Sequence, residues 1–503
     1  MREAVFCVWN YAKFDESARI NSGSFSVNWV VLSTYHTGVI LLFDSIIALT
    51  QTRSCGGVAL KKGISLLVTL SFLTTYLVGC STDSGGNTTS QSNSSSSASG
   101  SKKTITLWTF ADTHKQYYDE MKAKYEKDHP DVNIKIELLE YTALYDKYTV
   151  IAQSGGKGAP DLIDVEQGAF PRYIKGDVPF EPLNSYLETA DLSNAIPKGR
   201  LDLYTVNSNI YGIEIAACVS ALYYRKDLYD AAGVDVSKLK TWSEFMEASK
   251  PLLGKDKFVL SGSEKDQGLF EQLLRQEGGD IVTTDGKIGF DTPTGIEVLK
   301  RIKDWKEQGL LSKTSPEGPQ FWEAYTKGEF VAAFGPDWWA GQLVQNSPDL
   351  SGKWAAVPMP LGGPSSVPTS VNGGTGLALS KFSANKDAAW DFLKYTHLDT
   401  DNIVDSFHII NLFPALTSAT KSPDLHKESP TTKYFGGQDI AQLYADLGTK
   451  APSQNQAWWR SLVGKAWDKF EPDYQNGKMT PEEFLGKVDK ELQSLIDAEQ
   501  ARK

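Results

Sequence analysis

Two pairs of neighbouring tryptophans are the first feature of this sequence that could do chemistry. The chain has 13 tryptophans in 503 residues, and the pairs are Trp338-Trp339 and Trp458-Trp459. The first pair follows a Gly-Pro dipeptide at the end of a predicted strand, which suggests a turn there. Sheet packing requires no large apolar side chain at such a position, so the rings are available to cover the flat face of a ligand.

Carboxylates and amides accompany these rings. Glu166 and Gln167 follow a predicted strand, at the carboxyl end that faces the crevice of an α/β sheet. Asp266 and Gln267 precede a predicted helix and serve either as ligand groups or as caps. Two further polar candidates lie in a glycine-rich loop: Asn372 and Thr375. Rings that cover apolar C–H faces and polar groups that pair with hydroxyls suit a sugar ligand.

Motifs of the common catalytic and metal sites are missing from the sequence. The six histidines form no H-E-x-x-H, and there is no G-x-S-x-G elbow and no P-loop. The four cysteines form no C-x-x-C pair, and three fall within the first 80 residues. This leaves Cys218 in the folded part, where we expect it to be buried and inert. We therefore expect no catalytic residue, no metal and no cofactor.

The composition is typical of a soluble globular chain of two or three domains. Hydrophobic residues make up 41% and charged residues 22%, which excludes wholesale disorder, collagen and a polytopic membrane protein. Asp and Glu number 62 against 51 Lys and Arg, a net charge of -11. A nucleic-acid partner is not expected, because phosphate neutralisation requires a basic surface.

The N-terminal region carries targeting signals. Residues 60–79 contain two lysines, an apolar run and small residues, the anatomy of a secretory signal peptide. They run into Leu-Val-Gly-Cys80, which resembles a bacterial lipobox and implies lipid attachment to the Cys80 thiol. Residues 80–103 then form a Ser/Gly-rich tether. We interpret residues 1–59 as an over-extended N-terminus; alternatively, residues 38–50 belong to a second anchor, although an acidic residue interrupts them.

Strands and helices alternate along the rest of the chain. Short β-rich runs predict strands at 105–110, 132–138, 161–165, 221–224, 329–334 and 376–379. Apolar spacing predicts helices at about 142–153, at 292–309, at 385–396 and over most of the last 50 residues. It also predicts a helix that ends near His129, and another that begins at Trp242 with Thr241 as its N-cap. This order favours a mostly parallel sheet.

Five stretches, in the expected order, resemble the family-1 bacterial extracellular solute-binding proteins, the maltose-binding-protein-like sugar receptors of ABC importers. They are Ile105-Thr-Leu-Trp-Thr-Phe110, Gly158-Ala-Pro-Asp-Leu-Ile163, Ile210-Tyr-Gly-Ile213 with Leu222-Tyr-Tyr-Arg-Lys-Asp-Leu228 and Thr241-Trp-Ser-Glu-Phe245, Ala333-Phe-Gly-Pro-Asp-Trp-Trp-Ala-Gly341, and Asn372-Gly-Gly-Thr-Gly-Leu-Ala378 with Leu412-Phe-Pro-Ala415. The resemblance implies an α/β, two-lobe periplasmic-binding-protein-like fold with a ligand cleft and a hinge. Lobe one would be 104–214 plus 361–410, and lobe two 216–360 plus 411–503.

The resemblance also implies roles for single residues. One of Trp338 and Trp339 would stack on a sugar ring while the other packs on the core, and Trp458 would be a second stacking residue. Asp112, just past the first strand, and Glu214, at the hinge crossing, would bind hydroxyls. For Asp112 the alternative is a helix N-cap.

These observations predict a monomeric, lipid-anchored, non-enzymatic receptor on the extracellular face of the cell membrane. It would capture a sugar or oligosaccharide, of the arabinose type or another plant-derived type, and deliver it to the permease of an ABC transporter. Three alternatives stay open: a surface glycoside hydrolase, since the two carboxylates of such enzymes are far apart in sequence; a receptor for a polyamine or an anion; and a sensor or adhesion lipoprotein without a permease.

Overall fold

The computed structural model describes residues 102–262, 267–313 and 319–501. They belong to one compact unit that extends from Ser94 to Lys503. The predicted signal peptide, the predicted lipidation site Cys80, nearly all of the predicted tether and the candidate Asp266 lie outside the described residues. Within those residues, no helix combines the length and apolar character needed to cross a membrane.

The described elements alternate as the sequence indicates. The strands are β1 (Lys103–Thr109), β2 (Val132–Leu138), β3 (Leu162–Glu166), β4 (Thr205–Val206), β5 (Asn209–Ile210), β6 (Ile213–Glu214), β7 (Ser220–Arg225), β8 (Ala332–Pro336), β9 (Trp354–Val357) and β10 (Thr375–Leu379). The helices are α1 (Asp112–Asp128), α2 (Tyr141–Gln153), α3 (Asn184–Thr189), α4 (Lys198–Leu201), α5 (Lys226–Ala231), α6 (Trp242–Ser249), α7 (Gln267–Gln276), α8 (Pro293–Glu307), α9 (Pro319–Thr326), α10 (Asp337–Asn346), α11 (Lys386–His397), α12 (Thr400–Ile410), α13 (Pro430–Tyr434), α14 (Ile440–Gly448), α15 (Val463–Gln475) and α16 (Pro481–Ala501).

Two main sheets organise the molecule, one in each lobe. The first has the strand order β2-β1-β3-β10-β6 and the second the order β8-β7-β9. The two-lobe α/β class is confirmed, whereas the residue boundaries of the lobes stay a prediction. We call the part around the first sheet lobe one and the part around the second lobe two.

The expectation of a mostly parallel sheet is wrong. Among the strands of the described residues, β1 alone forms parallel pairs, with β2 and β3. In the first sheet β10 runs antiparallel to β3 and β6, and in the second sheet β7 runs antiparallel to β8 and β9. The chain reaches β10 from the other lobe and not through a local β-α-β crossover. Because only such a crossover requires a parallel neighbour, β10 can enter the sheet in the opposite direction.

Within the described part of the chain, three crossing segments join the lobes, at residues 215–219, 370–374 and 411–415. Backbone bonds link the first and third, from the Ala217 N–H to the Phe413 carbonyl (2.8 Å) and from the Ala415 N–H to the Ile215 carbonyl (3.1 Å). Cys218 lies in the first segment and is 1% exposed, which confirms the prediction that it is buried.

Several local predictions are confirmed. β2 spans the predicted residues, and Thr241 caps α6 in a capping box, in which its Oγ1 accepts from the Glu244 N–H and Glu244 accepts from the Thr241 N–H. The predicted turn before the first tryptophan pair is wrong, because Gly335 and Pro336 are the last residues of β8. β8 is an edge strand, where a proline without an N–H is tolerated.

Candidate functional site

A cavity of about 940 Å³ opens beside the lobe-two sheet. Of the described residues that line it, only Gln167 follows a strand of the first sheet. The others come from the segment 260–262, α7, Lys313, α9, β8, the start of α10, the crossing at Asn372, Arg460 and α15. The cavity therefore lies mainly on lobe two, with lobe one completing its edge.

Four aromatic rings form one wall of this cavity. Trp338 and Trp339 occupy the first turn of α10, while Phe321 and Tyr325 come from α9. The Trp339 ring lies 5.6 Å from the Phe321 ring and 5.8 Å from the Trp338 ring, measured between centroids. Both tryptophans are half-buried, and Trp339 makes most of the contacts with the aromatic core. The wall offers apolar faces to a flat ligand.

The polar side of the cavity comes from α7. Gln267, Glu271 and Gln272 line the cavity from one face of this helix, while Phe270 and Leu273 on the other face are fully buried. The Gln267 amide donates to Glu271 Oε1 at 2.9 Å. Since Gln267 and Glu271 are four positions apart, helical spacing puts them side by side.

A buried ionic network fixes this polar side. Glu271 Oε2 accepts from Arg275 Nη2 (2.8 Å) and from Arg460 Nη2 (2.7 Å), and Arg275 Nε donates to Asp280 (2.9 Å). Burial alone would raise the pKa of Glu271, but the two arginines hold it at about 2. Glu271 is therefore ionised, and it positions Arg460 in the cavity wall.

Gln167 joins lobe one to this wall. Its backbone N–H donates to the Gly374 carbonyl (2.9 Å), and its own carbonyl accepts from the Gln456 amide (2.7 Å). Glu166, one residue earlier, is half-buried and does not line the cavity. Burial has the largest effect on the pKa of Glu166 and raises it above its ordinary value. The carboxylate also accepts hydrogen bonds from the Gly168 N–H (2.7 Å) and the Tyr141 hydroxyl (3.0 Å), which lower the pKa by less.

Glu214 is a fully buried residue of the crossing region. Its Oε1 accepts from the Thr375 N–H at 2.7 Å, and its Oε2 accepts from Arg200 Nη2 at 2.9 Å. Neither Glu214 nor Thr375 lines the cavity, whereas Asn372 does, and the Asn372 carbonyl accepts from Trp338 Nε1 at 3.3 Å. Glu214 holds β10 in place in this structure.

Asp112 and Trp458 lie away from the cavity. Asp112 is the exposed first residue of α1, and since Ala111 occupies the N-cap position, the alternative that Asp112 is the cap is wrong. Trp458 is half-buried beside a second cavity of about 640 Å³. There the ammonium of Lys175 lies 5.1 Å from the centroid of the Trp458 ring.

The cavity thus collects a subset of the predicted residues and adds others. The predicted residues that line it are Gln167, Gln267, Trp338, Trp339 and Asn372. Lining residues that the sequence reasoning missed include Glu271, Gln272, Phe321, Tyr325 and Arg460. The polar spacing along α7 was a usable signal, but the position of α9 depends on tertiary packing. No group of three or more potential metal ligands occurs among the described residues.

The family model of the bacterial extracellular solute-binding proteins matches residues 111–396. The chain belongs to this family. It is 26% identical over 399 residues to an arabinooligosaccharide-binding protein of Halalkalibacterium halodurans, covering 78% of this chain and 89% of that protein. A maltodextrin-binding protein of Bacillus subtilis is 27% identical over 417 residues, covering 80% of this chain and 91% of the relative.

Solved structures share the fold. A binding protein from B. animalis subsp. lactis, in complex with β-1,6-galactobiose, superimposes with a TM-score of 0.67 at 24% identity, covering 80% of this chain and 98% of the other. The GacH receptor of Streptomyces glaucescens, which has been solved unliganded and with acarbose, gives 0.66 at 19% identity, covering 79% and 99%. At these identities the likeness establishes the two-lobe architecture.

Proposed function

We propose that this protein captures an oligosaccharide outside the cell and delivers it to the permease of an ABC importer. The observation that carries the proposal is the half-buried pair Trp338 and Trp339 in the wall of a cavity that amides, a carboxylate and a guanidinium also line. Stacking rings and hydroxyl-binding groups are the two requirements of sugar recognition. The relatives named above are binding proteins for oligosaccharides.

The size of the cavity supports a ligand longer than one sugar ring. Its volume of about 940 Å³ is near the upper end of the roughly 300–1,000 Å³ range of small-molecule pockets. An arabinose-type or other plant-derived oligosaccharide fits this volume and the names of the relatives. Six of the predicted ligand contacts are not among the described residues that line this cavity and remain proposals: Asp112, Glu166, Glu214, Asp266, Thr375 and Trp458. They would reach the ligand in a bound state in which the lobes have moved.

The attachment to the membrane is a second part of the proposal. The lipobox-like sequence before Cys80 and the following Ser/Gly-rich tether support a receptor that is held on the outer face by a lipid, and we propose that it acts as a monomer. Metabolic labelling with a fatty-acid analogue tests this directly. Label that disappears with Cys80→Ser supports the anchor, and label that persists contradicts it.

Intrinsic tryptophan fluorescence, titrated with a panel of neutral mono- and oligosaccharides, tests the function. We expect a saturable change with one class of sugar and a loss of affinity of about fivefold or more in Trp338→Ala or Trp339→Ala, because truncation of an anchoring aromatic ring to alanine costs more than about 1 kcal/mol. Trp390→Phe is the matched control, since Trp390 packs on Tyr186 of lobe one and does not line the cavity.

Three other results would contradict the proposal. Silence across the panel, in fluorescence and in calorimetry, would favour a non-sugar solute such as a polyamine. Binding that survives both alanine substitutions would move the ligand to another place. Consumption of the sugar during the titration would favour a surface glycoside hydrolase.

A further inference from the structure

Arg460 has one donor that the rest of the described protein does not satisfy. The residue is 8% exposed and lines the cavity, and its Nη2 is bonded to Glu271 at 2.7 Å. Its Nη1 is buried and has no hydrogen-bond partner within the described residues. Since a buried guanidinium N–H without an acceptor is unfavourable, this position calls for an oxygen atom from a bound molecule.

Arg460 also lies where the lobes meet. The short helix Phe170–Tyr173 of lobe one contacts the short helix Arg460–Leu462, and Gln456, four residues earlier, donates to Gln167. Burial lowers the pKa of Arg460, but Glu271, Asp280 and smaller contributions together raise it more, so that the pKa lies above its ordinary value. Glu166 of lobe one is close enough to add one of these smaller increases. A ligand that contacts Arg460 therefore lies next to both lobes.

Both guanidinium groups of the network around Arg460 already have carboxylate partners. Arg460 and Arg275 face Glu271 and Asp280 in the buried network, and Glu166 adds a further carboxyl group nearby. Among the residues that the structure describes, the charged side chains that line the cavity are two acidic and two basic ones: Glu271, Asp468, Lys313 and Arg460. Glu271 already fills the role of carboxylate partner to Arg460, so a second carboxylate would add unneutralised charge to a poorly solvated place.

We infer that Arg460 donates from Nη1 to an oxygen of an uncharged sugar, and that the cavity discriminates against sugars that bear a carboxylate. The inference rests on the proposed function and specifies its substrate class. A hydroxyl or ring oxygen accepts the bond without disturbing the charge balance, whereas a uronic acid places its anion beside Glu271 and Glu166. Arg460 is then both a binding residue and a determinant of specificity.

Matched pairs of sugars test the discrimination on the unmodified protein. Galactobiose is compared with digalacturonic acid, and xylobiose with glucuronic-acid-substituted xylose, by calorimetry at neutral pH. In whichever pair binds, we expect the affinity for the neutral sugar to exceed that for the acidic sugar by tenfold or more. This difference in affinity should shrink at a pH low enough to protonate the uronic acid. Equal or tighter binding of the acidic member at neutral pH overturns the inference while the proposed function stands.

Substitution of Arg460 tests the contact itself. Arg460→Lys keeps the positive charge beside Glu271 but replaces the rigid fork of guanidinium nitrogens by one ammonium, which does not reproduce the separate donor positions of Nη1 and Nη2. We expect its affinity for the neutral sugar to fall about tenfold or more. Arg172→Lys is the matched control, because Arg172 is exposed on lobe one and pairs with Asp146 at 3.2 Å.

Thermal unfolding of both variants separates binding from folding. A folded Arg460→Lys protein with unchanged affinity overturns the inference. If no sugar of either kind binds the unmodified protein, the proposed function fails and the inference fails with it. If Arg460→Lys does not fold, the comparison of sugar pairs on the unmodified protein still decides the specificity.

Discussion

At the scale of single residues, Asp164 shows how a buried charge is stabilised in lobe one. The side chain is fully buried, and its carboxylate accepts from the Thr109 hydroxyl (2.6 Å) and the Tyr118 hydroxyl (2.7 Å). His114 Nδ1 lies 2.9 Å from the same carboxylate. Burial alone would raise the pKa of Asp164, but His114 and the two hydroxyls together hold it below the ordinary value of 3.8.

Asp164→Asn should destabilise the protein by about 2–4 kcal/mol at neutral pH, because it removes the charge that these donors stabilise. Since the pKa is lowered in the folded state, the contribution is present above the ordinary value of 3.8 and is lost as the pH falls through the lower folded value. Urea denaturation at a series of pH values measures both effects. The difference between the two proteins should narrow in acid.

The matched control for this prediction is Asp405→Asn. Asp405 pairs with Lys124 at the surface, where such a pair contributes about 0–1 kcal/mol. A variant of Asp164 that is no less stable than the Asp405 variant would contradict the role of this carboxylate.

At the scale of the elements, the loop before β10 depends on two glycines. Gly373 and Gly374 have φ of 80° and 130°, values that side chains with a Cβ rarely adopt. A Cβ on Gly374 would also collide with the Arg200 guanidinium and the Glu214 carboxylate, the pair that fixes the start of β10. The close approach and the backbone conformation both require glycine here.

Gly374→Ala should therefore lower the free energy of unfolding by more than the same substitution does at a glycine that has a positive φ but open space around it. Gly233, with φ of 70° and no atom near the added Cβ, is the matched control. We expect about 1–2 kcal/mol for Gly233→Ala from backbone strain alone, and at least about 2 kcal/mol more for Gly374→Ala from the disrupted ion pair. Equal losses in thermal or urea unfolding would show that the Arg200–Glu214 pair adapts freely.

The elements also show how far the sequence predicts the structure. β2 and the cap of α6 were predicted correctly, because alternation and capping are local signals. The antiparallel pairing of β10 and the strand assignment of Gly335-Pro336 were missed, because both depend on partners far away in the chain. In the site, strand-end reasoning placed Gln167 and the Trp338-Trp339 pair at the cavity, but Arg460 joins it through tertiary packing alone.

At the scale of the whole molecule, the lobes touch beyond the crossing segments. Lys175 of lobe one donates to the Glu499 carbonyl on α16 at 2.5 Å, and its ammonium lies 3.2 Å from the Glu499 carboxylate. The same ammonium lies over the Trp458 ring. Together with the bond between Gln456 and Gln167, these contacts stabilise the arrangement of lobes that the structure shows.

Lys175→Met should shift the population of lobe arrangements toward a more open one. A partly exposed pair of this kind contributes up to about 1 kcal/mol, so we expect up to about a fivefold change in population and in apparent affinity. Small-angle X-ray scattering measures the radius of gyration without ligand, and calorimetry the affinity. Lys381→Met is the control, since Lys381 pairs with Asp177 inside lobe one. An unchanged radius of gyration and affinity in Lys175→Met would contradict this role.

The uneven share of the two lobes in the cavity has a kinetic consequence. Lobe two carries the aromatic wall, α7 and Arg460, while lobe one contributes Gln167. An arriving ligand can therefore dock on lobe two before the lobes come together, so its association rate depends on a surface that already exists. Escape requires lobe one to move away again. Changes at Gln167 should accordingly alter the residence time of the ligand more than its rate of capture.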